Sequence, residues 1–353
     1  MRFLVAAHDH RVGVEDGIFV EPTGAFDTVL ELPGADVRPG LINGHDHLHR
    51  NHYGRLGRPP YDNAYRWAHD IQAHYCAHIA DRKRLRRRDA LLAGAWKNLF
   101  AGVTSVVHHD PWEPDFERDF PLHVPRIASA DSLGMGSGWT VPAGPAPFCL
   151  HVAEGIDDIA AAEIATLDDG GLLRPNLVAV HGVGMAGDAI ARFRASGAAL
   201  IWCPSSNLFL FGRSAPAPLL RDGLDVLLGS DSLLTGAGDL LDEIAVARAL
   251  GTLSDERLEE AVGATAARRL GLPAPSLEPG HRADLLVLAK PLLEARSSDV
   301  VLVVAGGIPR VARPELSPAL NRIAPDGALT RVGSLTRWTN GWPAIAAEGR
   351  FSV

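Results

Sequence analysis

The chain has 353 residues, 46% of them hydrophobic and 22% charged, with a formal net charge of −8. That profile fits a soluble globular protein with a large core and speaks against general attraction to nucleic acid or anionic membrane. No run approaches the roughly 20 apolar residues of a membrane span. Three separated cysteines and no secretory leader exclude a disulfide framework and lead us to expect a cytoplasmic protein.

In chain order, residues 1 to 40 read as short strands broken by Gly, Asp and Pro: "RFLVAA", "GIFVEPTG" and "TVLELPG". A long middle follows, in which apolar strand-like runs alternate with Ala/Leu-rich helical patterns. Its strand candidates are "GLIN" before His45, "VTSVVHH" (103 to 109), "VPRIASA" (124 to 130), "PFCLHV" (147 to 152), "NLVAVH" (176 to 181), "AALIWCP" (198 to 204) and "LDVLLGSD" (224 to 231). Strand and helix in steady alternation imply a parallel sheet covered by helices, and seven strands come close to the eight of a (β/α)₈ TIM-like barrel. The stretch 131 to 147, rich in Gly and Pro, is too short for a full strand–helix unit, so a reduced or distorted unit is expected there. The basic run "RKRLRRRD" (82 to 89) reads as the solvated start of a helix. "SDERLEEAVGATAARRLGL" (254 to 272) reads as one terminal helix capped by Ser254 and stopped by Gly271. Beyond residue 277 the strand character of the N-terminus returns in "LEPGHRADLLVLAK" and "DVVLVVAGGIPRVA". We therefore expect a barrel over 41–276 and a small composite β-sandwich built from 1–40 and 277–353.

His45 and His47 in "PGLINGHDHLHR" are two apart, so on a strand both imidazoles point to one side and can hold a divalent ion. An HxH alone does not separate a ligand pair from a polar turn. Further along, His151, His181 and Asp231 each end an apolar strand, and a parallel barrel brings such ends to one rim, where barrel active sites lie. Glu154 follows His151 by three residues, far enough to swing a carboxylate over a metal and carry a proton from water to a leaving group. Asp46 points to the opposite side of its strand and reads as a structural residue, and His49 as a lining of the entrance. His108 and His109 end the second strand, one facing in and one out, and the inward one reads either as a substrate contact or as a satisfied buried histidine or loop cap. Ser206 and Asn207 follow "AALIWCP" and read either as substrate contacts or as a turn that holds the loop. Trp67, in a Tyr-, Trp- and His-rich loop, is a candidate to stack on a planar ring. His74 and His78 lack the glutamate of an HExxH site and read as part of an ordinary helix. No P-loop or GxGxxG fingerprint is present.

"PGLINGHDH", "HVAEG", the strand end "VAVH", "WCPSSN" and "LGSDS" occur in the order seen in the amidohydrolase superfamily. The chain resembles its mononuclear, cytosine-deaminase-like branch, which includes chlorotriazine hydrolases and adenosine-analogue and guanine deaminases. The resemblance runs from about residue 1 to 310. It implies that His45, His47, His151 and Asp231 bind one divalent ion, zinc or alternatively iron, that Glu154 shuttles a proton, and that His181 polarises the substrate or steadies the attacking water. Asp231 would also accept a proton from that water. Dinuclear members bridge two metals with a lysine from the fourth strand. The lysines here are Lys83, Lys97 and Lys290, none of them between 98 and 150, so a single ion is expected. The implied reaction is deamination of a small aminated N-heterocycle or amidine-like compound. The same rim also suits amide or cyclic-amide hydrolysis or dehalogenation, and a non-catalytic barrel is the contrasting class. Dimers are common in the family.

Overall fold

The computed structural model describes residues 1–7, 10–135 and 144–343. Its N-terminal strands are β1 (Arg2–Ala6), β2 (Arg11–Glu15), β3 (Ile18–Val20), β4 (Thr28–Glu31) and β5 (Asp36–Pro39). The first four form one sheet in the order β3-β2-β1-β4.

All seven strand runs of the middle are present: β6 (Leu41–Asp46), β7 (Val103–His108), β8 (Ala128–Ala130), β9 (Phe148–Val152), β10 (Leu177–His181), β11 (Ala199–Trp202) and β12 (Val226–Leu228). They are buried, apart from the short β8, and parallel, as two-sided helical cover requires. One ladder runs β12-β11-β10-β9-β8 and a second pairs β6 with β7. Main-chain bonds also run from β6 and β7 to the segments that flank the longer ladder. Asp231 N–H donates to His45 O at 3.1 Å, and Val106 N–H donates to His123 O at 3.0 Å. Two glycines allow the β6–β12 approach. A Cβ on Gly229 would stand 2.6 Å from His45 Cβ, and one on Gly44 would stand 2.9 Å from Leu228 O. The arrangement is TIM-barrel-like.

The remaining strands, β13 (Leu285–Leu288), β14 (Val300–Ala305), β15 (Ile308–Ala312), β16 (Ala328–Val332) and β17 (Leu335–Thr339), form a sheet in the order β16-β17-β15-β14-β13-β5. This sheet and the N-terminal one share an apolar cluster that includes Phe3, Val14, Phe19, Leu30, Leu302 and Trp338. Each such side chain, fully buried, contributes about 1.5–3 kcal/mol. β5, immediately before β6, thus ties the start of the barrel to the C-terminal sheet.

Three expectations need correction or extension. The run 254 to 272 is two helices, Asp255–Ala261 and Ala264–Leu270, because Val262 turns its carbonyl out to accept Ile42 N–H of β6 at 2.9 Å. Ser254 and Gly271 do cap its ends. The β7–β8 connection, 109 to 127, also lacks an α-helix and holds only a 3-10 turn, Pro114–Glu117. Pro111, Pro114, Pro121 and Pro125 remove the donors a helix would need. His74 and His78 fall on separate helices, Ala64–His74 and Cys76–Arg82. The centre of the predicted reduced unit, 136 to 143, lies outside the described residues. Among those described, no helix is long and apolar enough to cross a membrane.

Candidate active site

Strand ends place the polar residues, and local backbone turns aim them. His181 and Asp231 have φ of +76° and +52°, and Ala153, after β9, has +51°. Non-glycine residues adopt this left-handed region only at a cost, so the surroundings must hold them there. They do. The Glu163 carboxylate accepts Ala153 N–H at 2.7 Å, and Gly184 N–H donates to Ala153 O at 2.8 Å. Glu163 is in turn held by the Tyr65 hydroxyl.

The side chains so aimed converge. His45, His47 and Asp231 present nitrogen and oxygen atoms within 4.8 Å of one another, and His45, His151 and His181 do the same. His45 Nε2 lies 3.7 Å from Asp231 Oδ1 and 3.4 Å from His151 Nε2, and His47 Nε2 lies 4.0 Å from Asp231 Oδ1. Glu154 bridges the outer side, with Oε2 4.0 Å from His151 Nδ1 and Oε1 3.5 Å from His181 Nε2. All six residues are buried.

Burial, reinforced by neighbouring imidazoles, holds the pKa of His45 and His151 far below the ordinary histidine value, so both rings are neutral and offer lone pairs. Burial alone would raise Asp231. The electrostatic pull of the nearby His47 and His181 imidazoles and the hydrogen bond from the Ser206 hydroxyl outweigh it, and the carboxyl sits below its usual range. Glu154 goes the other way: burial first, then the Asp231 charge, pushes it well above the ordinary carboxyl range. Two carboxyls within one site thus differ in their hold on a proton, which is the arrangement acid–base chemistry uses. The donor set of three imidazoles and a carboxylate fits a divalent zinc-like ion. So does the face-to-face approach of two buried ring nitrogens, His45 Nε2 and His151 Nε2.

The other sequence candidates fall into three places. His109 belongs to the cluster: its ring stacks on His151 with centroids 4.1 Å apart, and its Nε2 bonds Ala130 O at 2.8 Å. His108 faces away, accepting Leu48 N–H at 3.2 Å and packing against Phe116. Ser206 and Asn207 lie behind the cluster, on a helix that Pro204 starts at once, Pro204–Phe211. The Ser206 hydroxyl donates to Asp231 Oδ2 at 2.8 Å, and Asn207 Oδ1 accepts from His181 Nδ1 at 2.9 Å. His181 Nε2 is therefore left as an acceptor facing Glu154. Trp67 is anchored by Nε1 to Leu56 O at 3.0 Å and walls a cavity of about 320 Å³ beside the rim, shared with His49, Arg50, Tyr53 and Leu234.

Sequence reasoning passed over Lys97. It is buried in the helix Arg87–Phe100, bonds Asp46 at 2.9 Å and Ser230 Oγ at 3.0 Å, and donates to Asp231 O at 2.7 Å. Asp46 also accepts from Asn51 at 2.9 Å and Asn98 at 2.7 Å. The signal was present as a lone "KN" inside the apolar run "ALLAGAWKNLF".

The chain is similar to several known proteins. The chain is 27% identical over 189 residues to a 5-methylthioadenosine/S-adenosylhomocysteine deaminase of Pyrococcus abyssi, a match covering 45% of this chain and 44% of that protein. Similarity to a 5'-deoxyadenosine deaminase of Methanosarcina mazei is lower, at 23%, but covers 78% of this chain and 79% of that one. Matches to several other methylthioadenosine/S-adenosylhomocysteine deaminases span less than half of those proteins. In fold, the crystal structure of a zinc-bound adenosine deaminase from Xanthomonas campestris superposes with a TM-score of 0.66 at 19% identity, covering 87% of this chain and 92% of that one. The amidohydrolase family model matches residues 146–332. That is more than half of the 353 residues, and the chain belongs to the amidohydrolase family.

Proposed function

We propose that this chain is a hydrolase that replaces an amino group on a small aminated N-heterocycle by oxygen, releasing ammonia. The reading is supported by two groups of potential ligand atoms that share His45, one with His47 and Asp231 and the other with His151 and His181, and by Glu154 lying beside His151 and His181. The names of the deaminase relatives support the choice of reaction. In this reading the molecule divides into a barrel over 41–276 and a composite β-sandwich from the two ends.

His45, His47, His151 and Asp231 would hold one divalent ion, zinc or alternatively iron. Such an ion lowers the pKa of water to about 7 and so supplies a nucleophile at neutral pH. Glu154 takes one proton of the attacking water and delivers it to the departing nitrogen. The water's oxygen adds to the amino-bearing carbon as the ring C=N electrons move to the ring nitrogen, which receives the water's other proton. Collapse of this tetrahedral adduct to C=O breaks the carbon–nitrogen bond and releases ammonia. Asp231, held ionised by Ser206 and Thr235, accepts that other proton from the water and passes it on. His181, fixed by Asn207, offers Nε2 to orient the water or the substrate. His109 lies where it can meet the heterocycle, and the Trp67-walled cavity is where a substituent can rest.

The test is ammonia release by the purified protein from a panel of aminated purines, their nucleosides, aminated pyrimidines and triazines, with simple amides and chlorotriazines alongside. Ammonia from at least one aminated heterocycle, lost on chelation and restored by zinc, is the expected result. Turnover confined to amides or chlorotriazines would replace the proposed reaction by one of its alternatives, and no turnover with any metal would favour a binding protein.

A further inference from the structure

One acidic residue at the rim has no part in the scheme above. Asp110 follows β7 and is mostly buried beside His47. Its Oδ2 lies 2.7 Å from His47 Nδ1, and its Oδ1 accepts from Arg50 Nη2 at 2.9 Å. His49 Nδ1 stands 3.6 Å from the same Oδ2. A carboxylate has only acceptors to offer. The short contact to His47 therefore requires that Nδ1 carry a proton, and in the neutral ring this leaves Nε2, the nitrogen facing Asp231, with its lone pair.

We propose that Asp110 is a positioning residue for the metal site: it locks His47 in the Nδ1–H tautomer and so keeps Nε2 free to bind the ion. The inference rests on the reading of His47 as a ligand. Arg50 gives it a specific consequence. Arg50 is a permanent donor, so in Asp110→Asn it claims the one oxygen of the amide. The amide nitrogen then faces His47 Nδ1 and donates to it, which moves the imidazole proton to Nε2 and blocks the ligand atom. Asp110→Ala imposes no tautomer. Asparagine, the closer mimic in shape, is therefore the more damaging substitution. Removing Arg50 as well lets the amide turn round and accept from His47 again.

The experiment is zinc affinity by chelator competition for the native chain, Asp110→Asn, Asp110→Ala, Arg50→Ala/Asp110→Asn and His47→Ala. Loss of an orienting partner of a ligating histidine costs about 10–100-fold in affinity. We expect a loss of that size in Asp110→Asn, a smaller loss in Asp110→Ala, and recovery in the double variant. Histidine-selective ¹⁵N spectra of the zinc-free proteins give a second readout, with His47 protonated on Nδ1 in the native chain and on Nε2 in Asp110→Asn. Native-like affinity in Asp110→Asn, or a milder effect than alanine with no gain on removing Arg50, overturns the proposal and leaves the ligand reading standing. Unchanged affinity in His47→Ala overturns the ligand reading, and the proposal with it.

Discussion

Glutamine in place of Glu154 is expected to lower turnover by roughly 10²–10⁴-fold, the usual contribution of a positioned acid–base group, with metal content unchanged. The side chain lies 4.0 Å from His151 and 3.5 Å from His181. Burial and the Asp231 charge raise its affinity for a proton, so it can hold one between the water and the leaving nitrogen. Glutamine keeps the shape and removes the exchangeable proton. The proposed ligand atoms belong to other residues and should be untouched. Steady-state kinetics and elemental analysis on the same preparation check this. A Glu154→Gln enzyme with near-native rate would show that another group moves the proton.

Lys97→Met is expected to destabilise the fold by about 3–5 kcal/mol, the cost of leaving one member of a buried ion pair alone. Lys97 is only 3% exposed and Asp46 is fully buried. The pair stitches the helix Arg87–Phe100 to β6, and the lysine's third contact, to Asp231 O, ties both to the end of β12. Without the ammonium, Asp46 keeps two amide donors, Asn51 and Asn98, for a buried charge. Neutralising the partner should recover most of the loss, so Asp46→Asn combined with Lys97→Met should be more stable than Lys97→Met alone. Urea unfolding at 25 °C measures both. An undiminished midpoint in Lys97→Met would mean that the pair adds nothing to stability.

The strand-end residues of the site and Lys97 differ widely in how legible they are in the sequence. His45, His151, His181 and Asp231 stand out because each closes an apolar run, and a buried strand ending in an ionisable group is conspicuous in one dimension. Their convergence needs only the knowledge that parallel barrel strands end on one rim. Lys97 lies in a helix whose apolar pattern hides it, and its partners are 51, 133 and 134 residues away. The alternation of a strand says that His108 and His109 face opposite ways. Which of them faces the site depends on the register of β7 against β6, where Asp46 pairs with His108. Ser206 and Asn207 sit behind the cluster because Pro204 starts a helix directly after β11, turning their side chains to Asp231 and His181. The missing helix between β7 and β8 was foreshadowed by four prolines, though the neighbouring Gly-rich stretch is the more conspicuous of the two.

The central expectation is that the clustered imidazoles and carboxylate hold a single ion. Its most direct test is the number of tightly bound metal ions per chain, measured by elemental analysis after dialysis against zinc, for the native protein and for His45→Ala. One ion per native chain and close to none in His45→Ala is the predicted result. Two ions per chain, or one that survives the loss of His45, would contradict it.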